Sequence, residues 1–524
     1  MNEKKMPVGI QSFEKIRSDD YLYVDKTRYI YDLVHAGIPY FLSRPRRFGK
    51  SLLLSTLKAY WEGKKELFSG LEIEKLEKDN PAAWKPYPVF YFDFNGTNYQ
   101  NEDALEEILD EQLRRLEADY DITGANGSLG ERFRNLIIKC SKDTGRRAVI
   151  LVDEYDKPLL DVIDNPELQN HNKDIFKGFF STLKSFDDHI QFVFITGVSK
   201  FHKVSIFSDL NQLTDISMTK AYAGVCGITE EELQTYFTAS IADLAAEQNL
   251  TYEECLNELR QNYDGYRFHP AAEGVYNPFS LLNAFFNKEF GSFWFETGSP
   301  TFLVKELRHD LFDVRRFTDK TIYASEALLR DYTGDLTDPI PLLYQTGYLT
   351  IVDFNAKQRR YTLCFPNEEV KYGFLESMMP SYVPKSTASN GLDIFSLSNY
   401  IEEGDTDSVR NYLAAMFANI TYTLKTDPFE HYFQAVIYLI FTLLGKITVC
   451  EMHTFSGRID CRVETGNFIY LFEFKRDDTA ESALQQIDTK EYSLPFVADS
   501  RKLIKIGVSF DSVARKLVGW EVSE

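Results

Sequence analysis

Residues Arg44–Ser51 read R-P-R-R-F-G-K-S. They follow a short β-type run, Ile38–Ser43, and lead into a stretch with helical patterning, Ser51–Trp61. A strand that turns through a basic loop into a helix aims backbone N–H groups and a helix N-terminus at one point, which suits a phosphate. The pattern G-x-x-x-x-G-K-[ST] is intact at Gly49, Lys50 and Ser51, but Arg44 occupies its first glycine position. Further on, Val149–Glu154 reads V-I-L-V-D-E, an apolar strand that ends in two acids. Two such segments, in this order and on these element types, predict a nucleoside-triphosphate site, taken as ATP. Lys50 is expected to reach the β- and γ-phosphates, with Ser51 and Asp153 holding Mg²⁺. Glu154 is expected to orient and deprotonate the attacking water. Arg46 and Arg47 are assigned to phosphate neutralisation in cis; action on a neighbouring subunit and simple solvation stay open. Thr196 or Ser199, at the end of the run Q-F-V-F-I-T, is a candidate γ-phosphate sensor, with a plain strand-to-loop turn as the alternative. Arg44 and Pro45 make the loop stiff and bulky, which suits slow hydrolysis or regulatory binding.

Working outward, strand-like runs alternate with helical patterns. Pro88–Phe94, Arg147–Val152 and Gln191–Thr196 read as buried strands, and Glu102–Tyr120 and Ile175–Phe186 as helices. This alternation predicts an α/β fold with a parallel sheet over 1–228. Residues 229–390 read as a mostly helical connector with strand candidates at Tyr348–Phe354 and Arg360–Phe365. Pro384–Gly391 is the best linker on composition. Over 391–524 the order is helices, strands at Lys446–His453, Ile459–Val463 and Phe468–Lys475, a helix at Thr479–Tyr492, and a strand at Leu503–Ser509. The end of the chain is thus α-β-β-β-α-β.

That last segment carries a second chemical pattern. Asp460 lies in G-R-I-D, and F-I-Y-L-F-E-F-K ends with Glu473 and Lys475. Residues i and i+2 share a strand face, so these two point together with Phe474 behind. Asp460 on the neighbouring strand can meet Glu473, and two converging carboxylates suit Mg²⁺ or Mn²⁺. The Lys475 ammonium can position water and offset phosphate charge. Glu430 is a candidate third carboxylate; Gln486 and Tyr492 are candidates for contacting substrate or Lys475. The competing reading is a meander with an exposed Glu–Lys pair.

Composition places few limits on this. The net charge of −21 argues against a uniformly basic nucleic-acid-binding surface. The acidity is uneven, however: residues 1–60 hold eleven Lys/Arg against six Asp/Glu, so the region of the phosphate loop is basic. From Glu430 onward there are eleven against fourteen, and several of those acids are proposed ligands. The six cysteines form no C-x-x-C pair, so neither zinc nor a disulfide framework is expected. Met1–Phe13 lacks an apolar signal core, and the apolar run Ala435–Leu444 is too short to cross a bilayer, so a soluble cytoplasmic protein is expected.

With R-P-R-R-F-G-K-S, V-D-E-Y-D and D…E-F-K in place, the chain resembles the bacterial AAA-ATPase-like proteins that carry a C-terminal PD-(D/E)XK nuclease-superfamily domain. Further shared features are Y-V-D-K-T at Tyr23–Thr27, Y-D-G-Y-R-F at Tyr263–Phe268, and A-L-Q-Q-I…Y at Ala483–Tyr492. The arginine-rich loop without a first glycine is itself typical of that family. The resemblance implies a P-loop ATPase domain, a helical region and a restriction-endonuclease-like module. The expected function is ATP binding, with ATPase activity, joined to Mg²⁺- or Mn²⁺-dependent phosphodiester cleavage by Glu430, Asp460, Glu473, Lys475 and Gln486. The expected partner is nucleic acid, DNA ahead of RNA, with a homo-oligomer compatible and no membrane contact. The alternative is a nucleotide-gated module that binds nucleic acid or protein without cutting.

Overall fold

Ala148–Asp153 (A-V-I-L-V-D) is buried along its whole length, as an apolar run flanked by strands on both sides must be. It is β3 of a five-stranded sheet with β1 (Tyr40–Ser43), β2 (Val89–Asp93), β4 (Ile190–Gly197) and β5 (Thr214–Asp215). The spatial order is β2-β3-β4-β1-β5 and every pairing is parallel. The phosphate-loop strand β1 and the acid-bearing strand β3 are therefore separated by β4. All the functional turns leave the same carboxyl edge of the sheet, where α/β proteins bind ligands.

The structure is a computed structural model that describes residues 4–122, 126–200, 206–207, 213–298, 322–330, 338–382, 394–418, 429–511 and 516–524. The expected linker Pro384–Gly391 lies outside the described residues, as does the side chain of Glu430. The chain forms two compact units, one within 1–302 and 323–370, the other within 303–322 and 371–524.

In the first unit, the helix expected at Ile175–Phe186 runs instead from Pro166 to Phe180, with a separate turn at Thr182–Ser185. Asn165 caps it and Pro166 fills its first turn, a start signal stronger than the apolar spacing further on. Two of the helices after 228 begin at T-x-x-E capping boxes, Thr229/Glu232 and Thr251/Glu254. With the helix Thr238–Glu247 between them, they bury Leu233, Phe237, Ile241, Leu256 and Leu259 in one core. A small sheet follows, with β6 (Ile322–Ser325), β7 (Thr350–Asn355) and β8 (Arg360–Cys364) in the order β6-β8-β7.

This region is in direct contact with the phosphate loop. Phe48 meets Tyr266 edge-on at 4.7 Å and Phe268 at 5.8 Å. Trp294 Nε1 donates to the Arg46 carbonyl at 3.0 Å. Gly347, at φ +94°, lies so close to Pro45 that a Cβ there would stand 2.8 Å from the proline ring.

The second unit holds β9 (Ile447–His453), β10 (Arg458–Glu464), β11 (Phe468–Arg476), β12 (Lys502–Asp511) and β13 (Lys516–Ser523), in the order β13-β12-β11-β10-β9. β11 and β12 are parallel, joined by a crossover containing the helix Ala480–Thr489; the other neighbours are antiparallel. The expected αβββαβ order therefore gains a final edge strand. Only Trp520 of β13 is buried, so its apolar pattern is too dilute to stand out in sequence. No helix among the described residues is long and apolar enough to cross a membrane.

Candidate functional site

The loop after β1 ends at Gly49, whose φ of +94° is a conformation that side-chain-bearing residues rarely adopt. Helix Lys50–Trp61 starts there, so its free N–H groups open toward a cavity of about 410 Å³. Arg46, Arg47, Gly49, Lys50, Ser51 and Glu154 all line that cavity. Lys50 Nζ donates to the carbonyls of Arg44 and Pro45, at 3.1 Å each. Arg47 stacks on Phe279 at 4.8 Å. Apolar walls come from both sides of the loop in sequence: Ile10, Leu22 and Val24 before it, Val225, Ile228 and Leu282 after it. A cationic nest beside an apolar chamber suits a nucleotide, phosphates at one end and base at the other.

The acids stand at the end of β3. Asp153 is buried, and both its oxygens meet hydroxyls: Thr196 donates to Oδ1 at 2.7 Å and Tyr91 to Oδ2 at 3.3 Å. Thr196 therefore acts on Asp153, and the other sensor candidate, Ser199, donates to Asp156 at 2.8 Å. Neither lines the cavity. Glu154 has φ +50°, a strained value for a residue with a side chain. Burial raises its pKa and the Lys50 charge opposes the rise. A carboxylate so poised suits a general base.

In the second unit, Asp460, Glu473, Lys475 and Gln486 come together. Gln486 bridges the pair on β11: its Nε2 donates to Glu473 Oε1 and its Oε1 accepts from Lys475 Nζ at 2.6 Å. Lys475 Nζ lies 3.5 Å from Glu473 Oε1. Asp460 Oδ2 accepts the Phe474 N–H at 2.8 Å. Glu473 is 2% exposed, so an exposed cross-strand pair is excluded. Its Oε2 is buried without a hydrogen-bond partner. Burial and the Asp460 charge push its pKa up to about 8, with Lys475 opposing. A buried, electrostatically strained carboxylate pair with an orphaned oxygen fits a divalent cation, which would supply Lewis acidity and hold water there. Among the described residues no group of three or more such side chains converges. Glu430 is on helix Phe429–Leu443, with its side chain outside the description. Tyr492 departs from expectation. It follows the end of the helix at Thr489, is buried among Ile459, Ile469, Leu471 and Ile487, and its hydroxyl accepts the Arg458 N–H. It holds the hairpin and faces neither Lys475 nor solvent.

A family model described as "Predicted AAA-ATPase" matches residues 7–207, and one described as "PD-(D/E)XK nuclease superfamily" matches residues 428–520. A protein of Azotobacter chroococcum mcd 1, described as an uncharacterized protein in the vnfD 5′ region, is 38% identical over 535 residues, covering 100% of this chain and 99% of its own. The chain belongs to this family of AAA-ATPase-like proteins with a PD-(D/E)XK domain. Among solved structures, the Aeropyrum pernix ORC2 protein aligns with 67% of the chain and 93% of its own at 10% identity and a TM-score of 0.24.

Several residues of this AAA-ATPase-like unit escape sequence reasoning. Asn95 lines the same cavity as Glu154, held by Asp93, whose Oδ1 accepts from its N–H and Nδ2 at 2.9 Å each. Lys26, in the Y-V-D-K-T segment, also lines it, and its Nζ donates to Gly224 O and Glu232 Oε2 at 2.7 Å each. The signal for Lys26 was the shared motif, for which sequence supplied no role. In the PD-(D/E)XK unit the overlooked residue is Gly507, the register partner of Glu473 on β12. A Cβ there would lie 2.2 Å from the Ala480 carbonyl and 2.9 Å from the Leu484 nitrogen. Gly507→Ala should therefore push the helix bearing Gln486 off the sheet. Cleavage should fall at least about tenfold with nucleotide binding retained, read by parallel nuclease and ATP-binding assays.

Proposed function

We propose that the chain is an ATP-binding hydrolase whose C-terminal domain cleaves nucleic acid with a divalent cation, acting in the cytoplasm. Residues 1–228 bind ATP·Mg²⁺ through Lys50, Ser51 and Asp153, with Glu154 as base. Tyr266, Phe268, Trp294 and Gly347 from the region after 228 brace the phosphate loop, and 391–524 form the nuclease module. There, Asp460 and Glu473 hold Mg²⁺ or Mn²⁺ with Glu430 as a further carboxylate. Lys475 steadies water and phosphate, and Gln486 orients Lys475 and Glu473. The observation that carries this reading is the orphaned Oε2 of Glu473, buried beside a second carboxylate and a lysine. Decorative charges on a meander have no reason to be buried in this way.

The test is a set of three variants of the purified full chain, incubated with DNA and RNA in Mg²⁺ or Mn²⁺. Asp460→Ala should remove cleavage and retain ATP binding, and Lys50→Ala should remove ATP binding. Cleavage that survives in both Asp460→Ala and Glu473→Ala would overturn the nuclease. Metal-dependent nucleic-acid binding by the wild type with no cleavage would assign the non-cutting module instead.

A further inference from the structure

Asp153 is gripped from both sides of its strand. Thr196 on β4 holds Oδ1, and Tyr91 on β2 holds Oδ2. Tyr91 is in register with Leu151, two residues before Asp153. Its side chain must therefore run along the strand direction for roughly two residue rises of about 3.3 Å each, which a phenol is long enough to do. At 3.3 Å, the contact with Oδ2 is longer than an ordinary O–H···O hydrogen bond, so it guides the carboxylate weakly and leaves that oxygen able to accept a cation.

A second observation brings Tyr91 and Ser51 to one space. A separate cavity of about 330 Å³ is lined by Tyr91, Ser51, Ser55, Lys58 and Gln11 among others. Ser51 also lines the nucleotide cavity. The tyrosine that anchors Asp153 and the serine at the loop's metal-binding position thus wall one polar space.

We propose that Tyr91 is a positioning residue for the divalent cation of the ATP site, fixing the Asp153 carboxylate so that it and Ser51 address the same ion. This rests on the ATP-site reading above. Tyr91 does not line the nucleotide cavity. Outer-sphere partners of metal ligands commonly account for about 10- to 100-fold in metal affinity.

The test titrates a fluorescent ATP analogue into the full chain, in EDTA and over a Mg²⁺ series. In Tyr91→Phe, affinity in EDTA should stay within about twofold of wild type, whereas the Mg²⁺ needed for half of the metal-dependent tightening should rise about tenfold. In an Asp153→Asn background, adding Tyr91→Phe should change nothing further, because no charged carboxylate remains to be oriented. Unchanged Mg²⁺ dependence in Tyr91→Phe overturns the assignment. So does equal weakening with and without Mg²⁺, or a further loss in the Asp153→Asn background, either of which marks Tyr91 as ordinary core. A wild type that binds nucleotide with no Mg²⁺ tightening also overturns it. A wild type that binds no nucleotide at all defeats the ATP-site reading itself, and this assignment falls with it.

Discussion

Glu473→Gln is expected to reduce metal-dependent cleavage by about 10²- to 10³-fold while making the metal-free protein more stable. The two effects share one cause. Glu473 is buried next to Asp460, and its pKa is raised from 4.5 to about 8. Between those values the folded chain keeps a proton that the unfolded chain releases, so stability falls as pH rises through this window. Glutamine carries no charge to desolvate and keeps an oxygen to accept from Gln486. The gain in melting temperature of metal-free Glu473→Gln should therefore grow from pH 6 to pH 8. A bound cation reverses the balance, since it repays burial of the charged form and displaces the proton. Wild type should thus melt higher with Mn²⁺ or Mg²⁺ than with EDTA, by more at pH 8 than at pH 6, and the variant should show no metal effect. Melting curves at two pH values with and without metal read all of this. A metal shift that persists in Glu473→Gln, or a variant less stable than wild type at pH 8 in EDTA, would show that the carboxylate does not serve a cation.

The parts of this site that sequence made legible are those set by neighbours along the chain. Glu473 and Lys475 share a strand face because they are two apart, and V-I-L-V-D-E announces a buried strand with acids at its end. Gly49 to Ser51 likewise sit where a strand must turn into a helix. What stayed hidden depends on pairings between distant segments. Thr196 was a candidate sensor because it ends a strand; only the insertion of β4 between β1 and β3 directs its hydroxyl to Asp153. Tyr91 looked like one aromatic in P-V-F-Y-F-D-F until β2 was set beside β3. Tyr492 failed in the opposite sense: it was read as the end of a helix over Thr479–Tyr492, but the helix stops at Thr489 and the chain turns the ring into the core. The region after 228 looked like a connector because its helices are locally complete. Their contacts with the phosphate loop, through Tyr266, Phe268 and Trp294, follow from no local pattern.

Arg44→Gly would restore the generic phosphate-loop pattern, and it is expected to cost the protein both stability and nucleotide binding. The first glycine of that pattern serves loops whose backbone needs positive φ or has no room for a side chain. Position 44 is not among the positive-φ residues, so arginine sits there without backbone strain. Its side chain is 1% exposed and does structural work that glycine cannot do. Nη1 donates to the carbonyls of Ser43 at 2.9 Å and Ser217 at 2.7 Å, and Nη2 to that of Tyr222 at 3.0 Å. The guanidinium also stacks on Phe268, 3.8 Å from the ring centre. These contacts tie the start of the loop to the chain after β5 and to the helical region at once. Glycine would deprive buried carbonyls of their donor, at about 1–3 kcal/mol each, and leave the volume of the side chain empty. A total loss of about 3 kcal/mol or more is expected. The carbonyls of Arg44 and Pro45 hold Lys50, so a loop freed at residue 44 also releases the lysine that should meet phosphate. Arg44→Lys keeps the charge but has neither the planar fork nor the stacking face, so it should fall between wild type and glycine. Thermal melts and ATP titrations of both variants decide the matter: a glycine variant as stable as wild type that binds ATP more tightly would mean that Arg44 obstructs the loop instead of building it.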